Sequence, residues 1–177
     1  HRDLHSFPTR RSSDLHDVIA FIKTQDFVDL DHLFLWGESQ GGFVTAITAA
    51  WHPEVRAVVL FYPAFCARDD MLKRFKSPDE VPETIDIMGK KVGRTYYEKL
   101  FDFDAYAEAA QYTGPVIVIH GDADRTVNIS YGKKAAETYL NARFEVLPGE
   151  DHGFSAKGKI AGAHMVYDFF KSNIKEK

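Results

Sequence analysis

Three polar residues that lie far apart in the chain have the types needed for nucleophilic catalysis. Ser39 lies in Gly-Glu-Ser-Gln-Gly, Asp124 ends His-Gly-Asp-Ala-Asp, and His152 lies in Glu-Asp-His-Gly-Phe. A serine hydroxyl needs a base within hydrogen-bond reach, and a histidine base needs a carboxylate that orients its ring. In this chain order, the three residues predict a nucleophile, an orienting acid and a general base.

The serine motif has the sequence form of a sharp turn between a strand and a helix. An apolar run over 33–36 precedes it, and a run of small residues follows it. Such a nucleophile elbow lifts the serine hydroxyl out of the sheet and aims the first helical amides at the same point. Gly37 and Gly41 are expected because a side chain at either position would collide with the neighbouring strand or helix.

Other carboxylates and histidines lie close to these motifs. Asp122 and Asp151 flank the predicted acid and base, and either is an alternative acid, but the His-Gly-x-x-Asp register favours Asp124. His120, in the same turn, is expected to be structural. The histidines and aspartates lack His-Glu-x-x-His or paired-ligand spacing, so no metal site is expected.

Composition limits the classes of protein that this chain can represent. Its 177 residues suit one domain with a sizeable core, and its net charge of −4 gives no reason to expect a nucleic acid or an anionic membrane as partner. No apolar run approaches the roughly 18 residues of a membrane span. The single cysteine, Cys66, excludes an intrachain disulfide and suits a cytoplasmic protein.

Hydrophobic patterns alternate between helix and strand, which predicts a mostly parallel α/β sheet with flanking helices. Strands are predicted over 33–36, 57–62, 115–119 and 142–147, and helices over 13–26, 41–50, 130–140 and 160–174. In such sheets, chemistry collects just beyond the carboxyl ends of the strands. Ser39, Asp124 and His152 each fall at such an end.

Between about 65 and 104 the chain becomes densely charged. A β-hairpin is predicted over 84–93, and helices over 94–101 and 104–111. An insertion of this size between two core strands is expected to form a lid or a binding region. Its apolar surface has three candidate residues, for which ordinary packing is the alternative: Met71, Phe75 and Met88.

The motifs around Ser39, Asp124 and His152 together resemble those of α/β-hydrolase esterases. Tract 61–65, and Gly-Arg-Thr-Tyr-Tyr in the insertion, are similar to cinnamoyl and feruloyl esterases. The resemblance covers about 18–171 and implies an α/β-hydrolase fold with a small lid. It also implies Ser39 as nucleophile, His152 as base, Asp124 as acid and the Gln40 amide as one oxyanion donor. A small-molecule ester is the implied partner, and no cofactor is implied.

In those esterases the lid receives an aromatic acyl group, whose phenolic hydroxyls are held by an aspartate and a tyrosine. By position, the resemblance implies Asp70 and Tyr96 as these substrate-binding residues. Asp69 and Tyr97 are the alternatives for the same two roles.

The chain departs from the family pattern at its beginning. The family has several strands before the first predicted helix, and a His-Gly loop after one of them supplies the second oxyanion amide. No such segment lies upstream of Asp17, so the N-terminal strands are expected to be missing. We expect 1–14 to be a disordered or non-native leader, with a genuine basic tail as the alternative, and 15–177 to be a partial hydrolase domain of poor solubility or weak activity.

The leading functional prediction is a serine ester hydrolase that acts through an acyl-enzyme on hydroxycinnamoyl or other aryl or short acyl esters. One alternative is the catalytic domain of a prolyl-oligopeptidase-type peptidase, which has a similar Ser-Asp-His order. Another is a fragment that no longer catalyses. The compact insertion favours the esterase.

Overall fold

A parallel sheet forms the centre of the computed structural model, which describes residues 10–87 and 89–174. In chain order the strands are β1 (Phe34–Glu38), β2 (Ala57–Phe61), β3 (Thr84–Ile87), β4 (Lys90–Gly93), β5 (Val116–Gly121) and β6 (Ala142–Leu147). The four-stranded sheet has the order β1-β2-β5-β6, and β3 and β4 form a separate antiparallel hairpin. The predicted parallel α/β sheet is confirmed.

Helices cover both faces of the four-stranded sheet. In chain order, the α-helices of the described residues are α1 (Arg10–Ile22), α2 (Gln40–Ala49), α3 (Ala67–Arg74), α4 (Arg94–Glu98), α5 (Ala105–Ala109), α6 (Ile129–Thr138) and α7 (Ala156–Ser172). Val58 and Leu60 of β2 pack with the cluster that holds α1, α2, α5 and α6, whereas Val59 packs with α7. Both central strands are buried along their whole length, because each has helices on both faces.

No helix within the described part of the chain is long and apolar enough to cross a membrane.

The first helix begins earlier than its sequence pattern predicts. Helix α1 begins at Arg10 and ends at Ile22, instead of covering 13–26. The last five residues of the predicted leader, 10–14, are therefore helical, while 1–9 lie outside the described residues.

The insertion between β2 and β5 packs onto the same core as α2. It contains α3, the β3–β4 hairpin and α4, and its side chains Met71, Val81 and Ile85 are buried in that core. The hairpin over 84–93 is as predicted, whereas α3 is not predicted by the sequence. Met71 and Phe75 pack into the core, as the alternative of ordinary packing predicts, and Met88 lies outside the described residues.

A chain of polar contacts attaches α1 to the segment after α2. His16 Nδ1 lies 2.9 Å from His52 Nε2, and His52 Nδ1 lies 3.0 Å from Glu54 Oε1. Lys23 Nζ donates to the same carboxylate oxygen at 2.6 Å. Burial opposes ionisation, but the hydrogen bonds from His52 and Lys23 outweigh it and lower the pKa of Glu54 from 4.5 to about 2.

We expect Glu54→Gln to reduce the free energy of unfolding by ~1–2 kcal/mol near neutral pH, where the carboxylate is charged. A carboxylate with a lowered folded-state pKa contributes its full stability above the unfolded value of 4.5, and loses it as pH falls towards 2. Urea unfolding of both proteins at a series of pH values measures this. Glu83→Gln, at an exposed glutamate, is the control. A loss of unfolding free energy in Glu54→Gln that does not change with pH would contradict the prediction.

Candidate active site

The turn between β1 and α2 holds Ser39 in a backbone conformation that L-residues rarely adopt. Its φ is 52° and its ψ is −119°. The Ser39 amide donates to the Phe61 carbonyl at 2.9 Å, and the Ser39 carbonyl accepts from the Ala64 amide at 3.0 Å. Because the end of β2 holds both backbone groups, the strained turn persists and presents the hydroxyl beyond the sheet.

Gly37 and Gly42 make this turn sterically possible, whereas the sequence predicts Gly37 and Gly41. A Cβ on Gly37 would clash with the Gly41 carbonyl oxygen and with Thr45 Oγ1. A Cβ on Gly42 would lie 3.1 Å from Pro63 Cα, whereas a Cβ on Gly41 would have no atom within 4 Å. The expected collision at Gly41 is wrong, because the close neighbours of the turn lie against Gly37 and Gly42.

This difference predicts opposite outcomes for two Gly→Ala variants four residues apart. We expect Gly37→Ala to lower the free energy of unfolding by ~2–3 kcal/mol, because its Cβ collides with backbone. We expect Gly41→Ala to be neutral or stabilising by up to ~1 kcal/mol, since it restricts the unfolded chain without a clash. Urea unfolding of the two variants and the wild type tests this, and equal losses would contradict it.

The structure brings Ser39, His152 and Asp124 into one chain of hydrogen bonds. His152 Nε2 lies 2.9 Å from Ser39 Oγ, and His152 Nδ1 lies 2.9 Å from Asp124 Oδ2. An ionised carboxylate only accepts, so Nδ1 carries the proton and Nε2 accepts from the serine hydroxyl. The three residues follow β1, β6 and β5 at one edge of the sheet, as the sequence predicts.

Asp124 is fixed on every side. Its Oδ1 accepts from the backbone amides of Thr126 and Val127, each at 2.8 Å, and its side chain has no exposure. His120 Nε2 lies 3.2 Å from Asp124 Oδ2 and 2.9 Å from the Val127 carbonyl. Burial lowers the pKa of His120, which favours the neutral ring as a support for the carboxylate.

The two alternative acids bind backbone groups and do not hydrogen-bond the His152 ring. Asp122 Oδ1 accepts from the Gly149 amide at 2.6 Å. Asp151 accepts from the backbone and guanidinium of Arg125 and from the His152 amide. These bonds hold the pKa of Asp151 well below its usual range. Asp151 therefore joins the loop after β5 to the loop after β6.

Gln40 connects the elbow to the insertion. It is the first residue of α2, so its amide lies at the positive end of the helix dipole, beside Ser39. Its side-chain Nε2 donates to the Tyr96 hydroxyl at 2.7 Å. Tyr96, in the middle of α4, is therefore held beside the predicted oxyanion donor. Tyr97 is buried, with its ring 6.3 Å from that of Phe75, and packs in the core.

The two candidate aspartates of α3 have different surroundings. Asp70 accepts from Lys73 Nζ at 2.9 Å, and its amide donates to the Cys66 carbonyl at 2.9 Å. Burial, together with the neighbouring Asp70 carboxylate, raises the pKa of Cys66 to about 12, which disfavours a thiolate at neutral pH. Asp69 instead accepts from the Tyr131 hydroxyl at 2.8 Å.

A cavity of about 780 Å³ lies between α3, α5 and α6. Phe65, Tyr106 and Tyr131 line it together with Asp69, and the Phe65 and Tyr106 rings stack at 4.7 Å. Asp70 and Tyr96 are not among its lining residues in the described part of the chain. The structure thus brings Tyr96 to the elbow and Asp69 to an aromatic-lined cavity, and it does not join Asp70 to either place by a hydrogen bond.

Two aromatic residues that the sequence does not single out lie beside His152. The Tyr62 ring lies 4.7 Å from the His152 ring, and the Phe154 ring lies 4.6 Å from that of Tyr62. Tyr62 follows β2 directly and is buried. An aromatic residue after an apolar strand is typical of core packing, so its contact with His152 has no signature in the sequence.

The sequence of this chain is similar to those of known proteins. A sequence profile of the prolyl oligopeptidase family matches residues 6–177. The thiohydrolase apmlB of Arthrinium phaeospermum is 28% identical over 127 residues, which are 72% of this chain and 36% of that protein. The chain thus spans 36% of the length of this curated relative.

Solved structures share the fold. Est1E from Butyrivibrio proteoclasticus with bound ferulic acid matches with a TM-score of 0.83 and 22% identity, over 93% of this chain and 68% of that one. Acetyl xylan esterase 1 from Thermoanaerobacterium sp. JW/SL YS485 matches with a TM-score of 0.61 and 22% identity, over 88% of this chain and 51% of that one. At these identities, the likeness shows the α/β-hydrolase fold.

Proposed function

This chain belongs to the prolyl oligopeptidase family, from which we propose that it is a serine hydrolase, and from its likeness to Est1E and acetyl xylan esterase 1 we propose that it cleaves carboxylic esters through an acyl-enzyme. The observation that carries the proposal is the hydrogen-bond chain from Ser39 Oγ through His152 to Asp124. It supplies a nucleophile, a base that accepts its proton and a carboxylate that stabilises the charged base.

In the proposed reaction, Ser39 Oγ attacks the ester carbonyl carbon while His152 Nε2 takes the hydroxyl proton. The oxyanion of the tetrahedral intermediate faces the Gln40 amide at the start of α2. Collapse breaks the bond to the alcohol, which leaves with the proton from His152, and the acyl group stays on Ser39. Water then attacks this ester with His152 as base, which releases the carboxylic acid and restores the serine.

For the acyl group we propose a hydroxycinnamoyl or another aryl or short acyl chain. Tyr96 supports an aryl group, because the bond from Gln40 holds its hydroxyl beside the elbow, where a phenolic oxygen of the acyl group would meet it. Asp70 is the proposed carboxylate partner of that phenol, with Asp69 as the alternative. Ferulic acid, which Est1E holds in its structure, is a phenol of this kind.

The family match favours a second candidate, the hydrolysis of peptide bonds at proline by the same serine. The attack of Ser39 is chemically the same for an amide, but the leaving group is an amine, which needs protonation by His152 to depart. The two candidates therefore differ in substrate and not in the catalytic residues.

A panel of three substrates tests the proposal: methyl ferulate, p-nitrophenyl acetate and a proline-amide peptide. We expect both esters to be hydrolysed and the amide to be left intact. Tyr96→Phe should raise KM for methyl ferulate by ~10-fold through one lost hydrogen bond, without changing KM for p-nitrophenyl acetate. Faster cleavage of the proline amide would replace the ester proposal with the peptidase, and turnover of no substrate would indicate an inert chain.

A further inference from the structure

Backbone strain in the described residues is concentrated around one imidazole. Three non-glycine residues there have positive φ values, Ser39 at 52°, Tyr62 at 34° and Phe154 at 51°. Ser39 bonds the His152 ring, Tyr62 packs against that ring, and Phe154 packs against Tyr62. Such conformations cost ~1–3 kcal/mol each and persist only where the surroundings hold them.

Two hydrogen bonds hold the nitrogens of the His152 ring, and an aromatic ring lies against it. Asp124 and Ser39 bind Nδ1 and Nε2, each at 2.9 Å. A tilt of the imidazole weakens both bonds, because hydrogen bonds depend on direction as well as on distance. The Tyr62 ring, with its centroid 4.7 Å from that of His152 and its plane inclined by 59°, packs where it opposes such a tilt.

The Tyr62 ring is itself held at its far end. Its hydroxyl donates to Glu38 Oε2 at 2.8 Å, and its amide donates to the Ile119 carbonyl at 2.8 Å. Glu38 is the last residue of β1 and directly precedes Ser39. In the β1–β2 register it lies opposite Phe61, the residue before Tyr62. One hydrogen bond therefore links the two strand ends that carry the nucleophile and the support of its base.

We propose that Glu38 and Tyr62 form a positioning pair that holds the His152 ring in line with Ser39, an inference that rests on the proposed hydrolase function. Neither residue touches substrate in this role. The carboxylate restrains the phenol, the phenol restrains the imidazole, and the imidazole accepts the serine proton.

The test follows labelling of Ser39 by a fluorophosphonate, together with kcat and KM for p-nitrophenyl acetate. We expect Tyr62→Phe and Glu38→Ala each to lower the labelling rate and kcat by ~10-fold with KM unchanged, because the base is misplaced. Glu38→Gln keeps an acceptor oxygen, so it should retain most of the activity. The double variant Tyr62→Phe with Glu38→Ala should be no slower than either single variant, since both remove one bond.

Tyr139→Phe is the matched control, because Tyr139 is a buried tyrosine that follows the C-terminal end of α6 and packs in the core. It should label at the wild-type rate. Wild-type rates in Tyr62→Phe and Glu38→Ala would overturn the inference and leave the hydrolase proposal intact. Equal losses in Glu38→Gln and Glu38→Ala would also overturn it, because they would assign the effect to charge. A wild-type protein that does not label would contradict the proposed function and this inference together.

Discussion

Ser39→Ala is expected to lower kcat for p-nitrophenyl acetate by ~10⁵-fold and to abolish labelling by a fluorophosphonate. The variant removes the only atom that attacks the carbonyl carbon in the proposed reaction. Alanine has the same Cβ as serine, so the strained φ of 52° is no harder for it to adopt, and the fold should be unchanged. Labelling followed by mass spectrometry, and ester hydrolysis, measure the loss.

Ser130→Ala is the matched control for this variant, because Ser130 is an exposed serine in the first turn of α6. We expect it to keep wild-type labelling and turnover. Ester hydrolysis that survives in Ser39→Ala at the wild-type rate would place the reaction at another residue and remove the basis of the proposed function.

Asp124→Asn is expected to lower kcat by ~10⁴-fold while the fold is kept. The two backbone amides at Oδ1 need an acceptor, so they fix the new amide oxygen on their side. The amide nitrogen then faces His152 Nδ1 and donates to it. The ring must accept at Nδ1 and carry its proton on Nε2, which leaves Nε2 unable to take the proton of Ser39.

The other two carboxylates of these loops supply the controls for Asp124. Asp122→Asn should keep kcat within ~2-fold of the wild type, since it replaces a bond to a loop amide. Asp151→Asn should lower kcat by ~10-fold at most, because it weakens the link between the two loops without changing the tautomer of His152. A larger loss in Asp151→Asn than in Asp124→Asn would assign the acid to Asp151.

The sequence predicts those parts of the fold that depend on apolar runs. Strands β2 and β5 are continuous apolar segments, because both of their faces are covered. Helix α3 has no such signal, since its eight residues bury only Met71 and the rest are mostly charged. Its position depends on contacts with distant residues, such as the bonds of Arg68 to the carbonyls of Leu100 and Phe101, which no local pattern reports.

The sequence predicts the residue types and the chain order of the candidate site, but not the contacts that hold these residues in place. Ser39, Asp124 and His152 follow from motifs at strand ends, and the structure brings them together. The positive φ of Tyr62 depends on neighbours from β1 and from the loop after β6. A sequence pattern cannot show it, because tyrosine has no preference for that conformation. For the same reason, the motif does not show that a Cβ on Gly41 would meet no other atom.

The hydrogen bond between Ser39 and His152 joins residues that are 113 positions apart in the chain. Closing so long a loop carries an entropic cost, which the packing of the assembled sheet offsets, and folds rich in such distant contacts form slowly. Reactivity of Ser39 is therefore a property of the assembled chain and not of its motif. After dilution from urea, the rate at which fluorophosphonate labelling of Ser39 recovers would therefore report when the ends of β1, β5 and β6 reach their final alignment during folding.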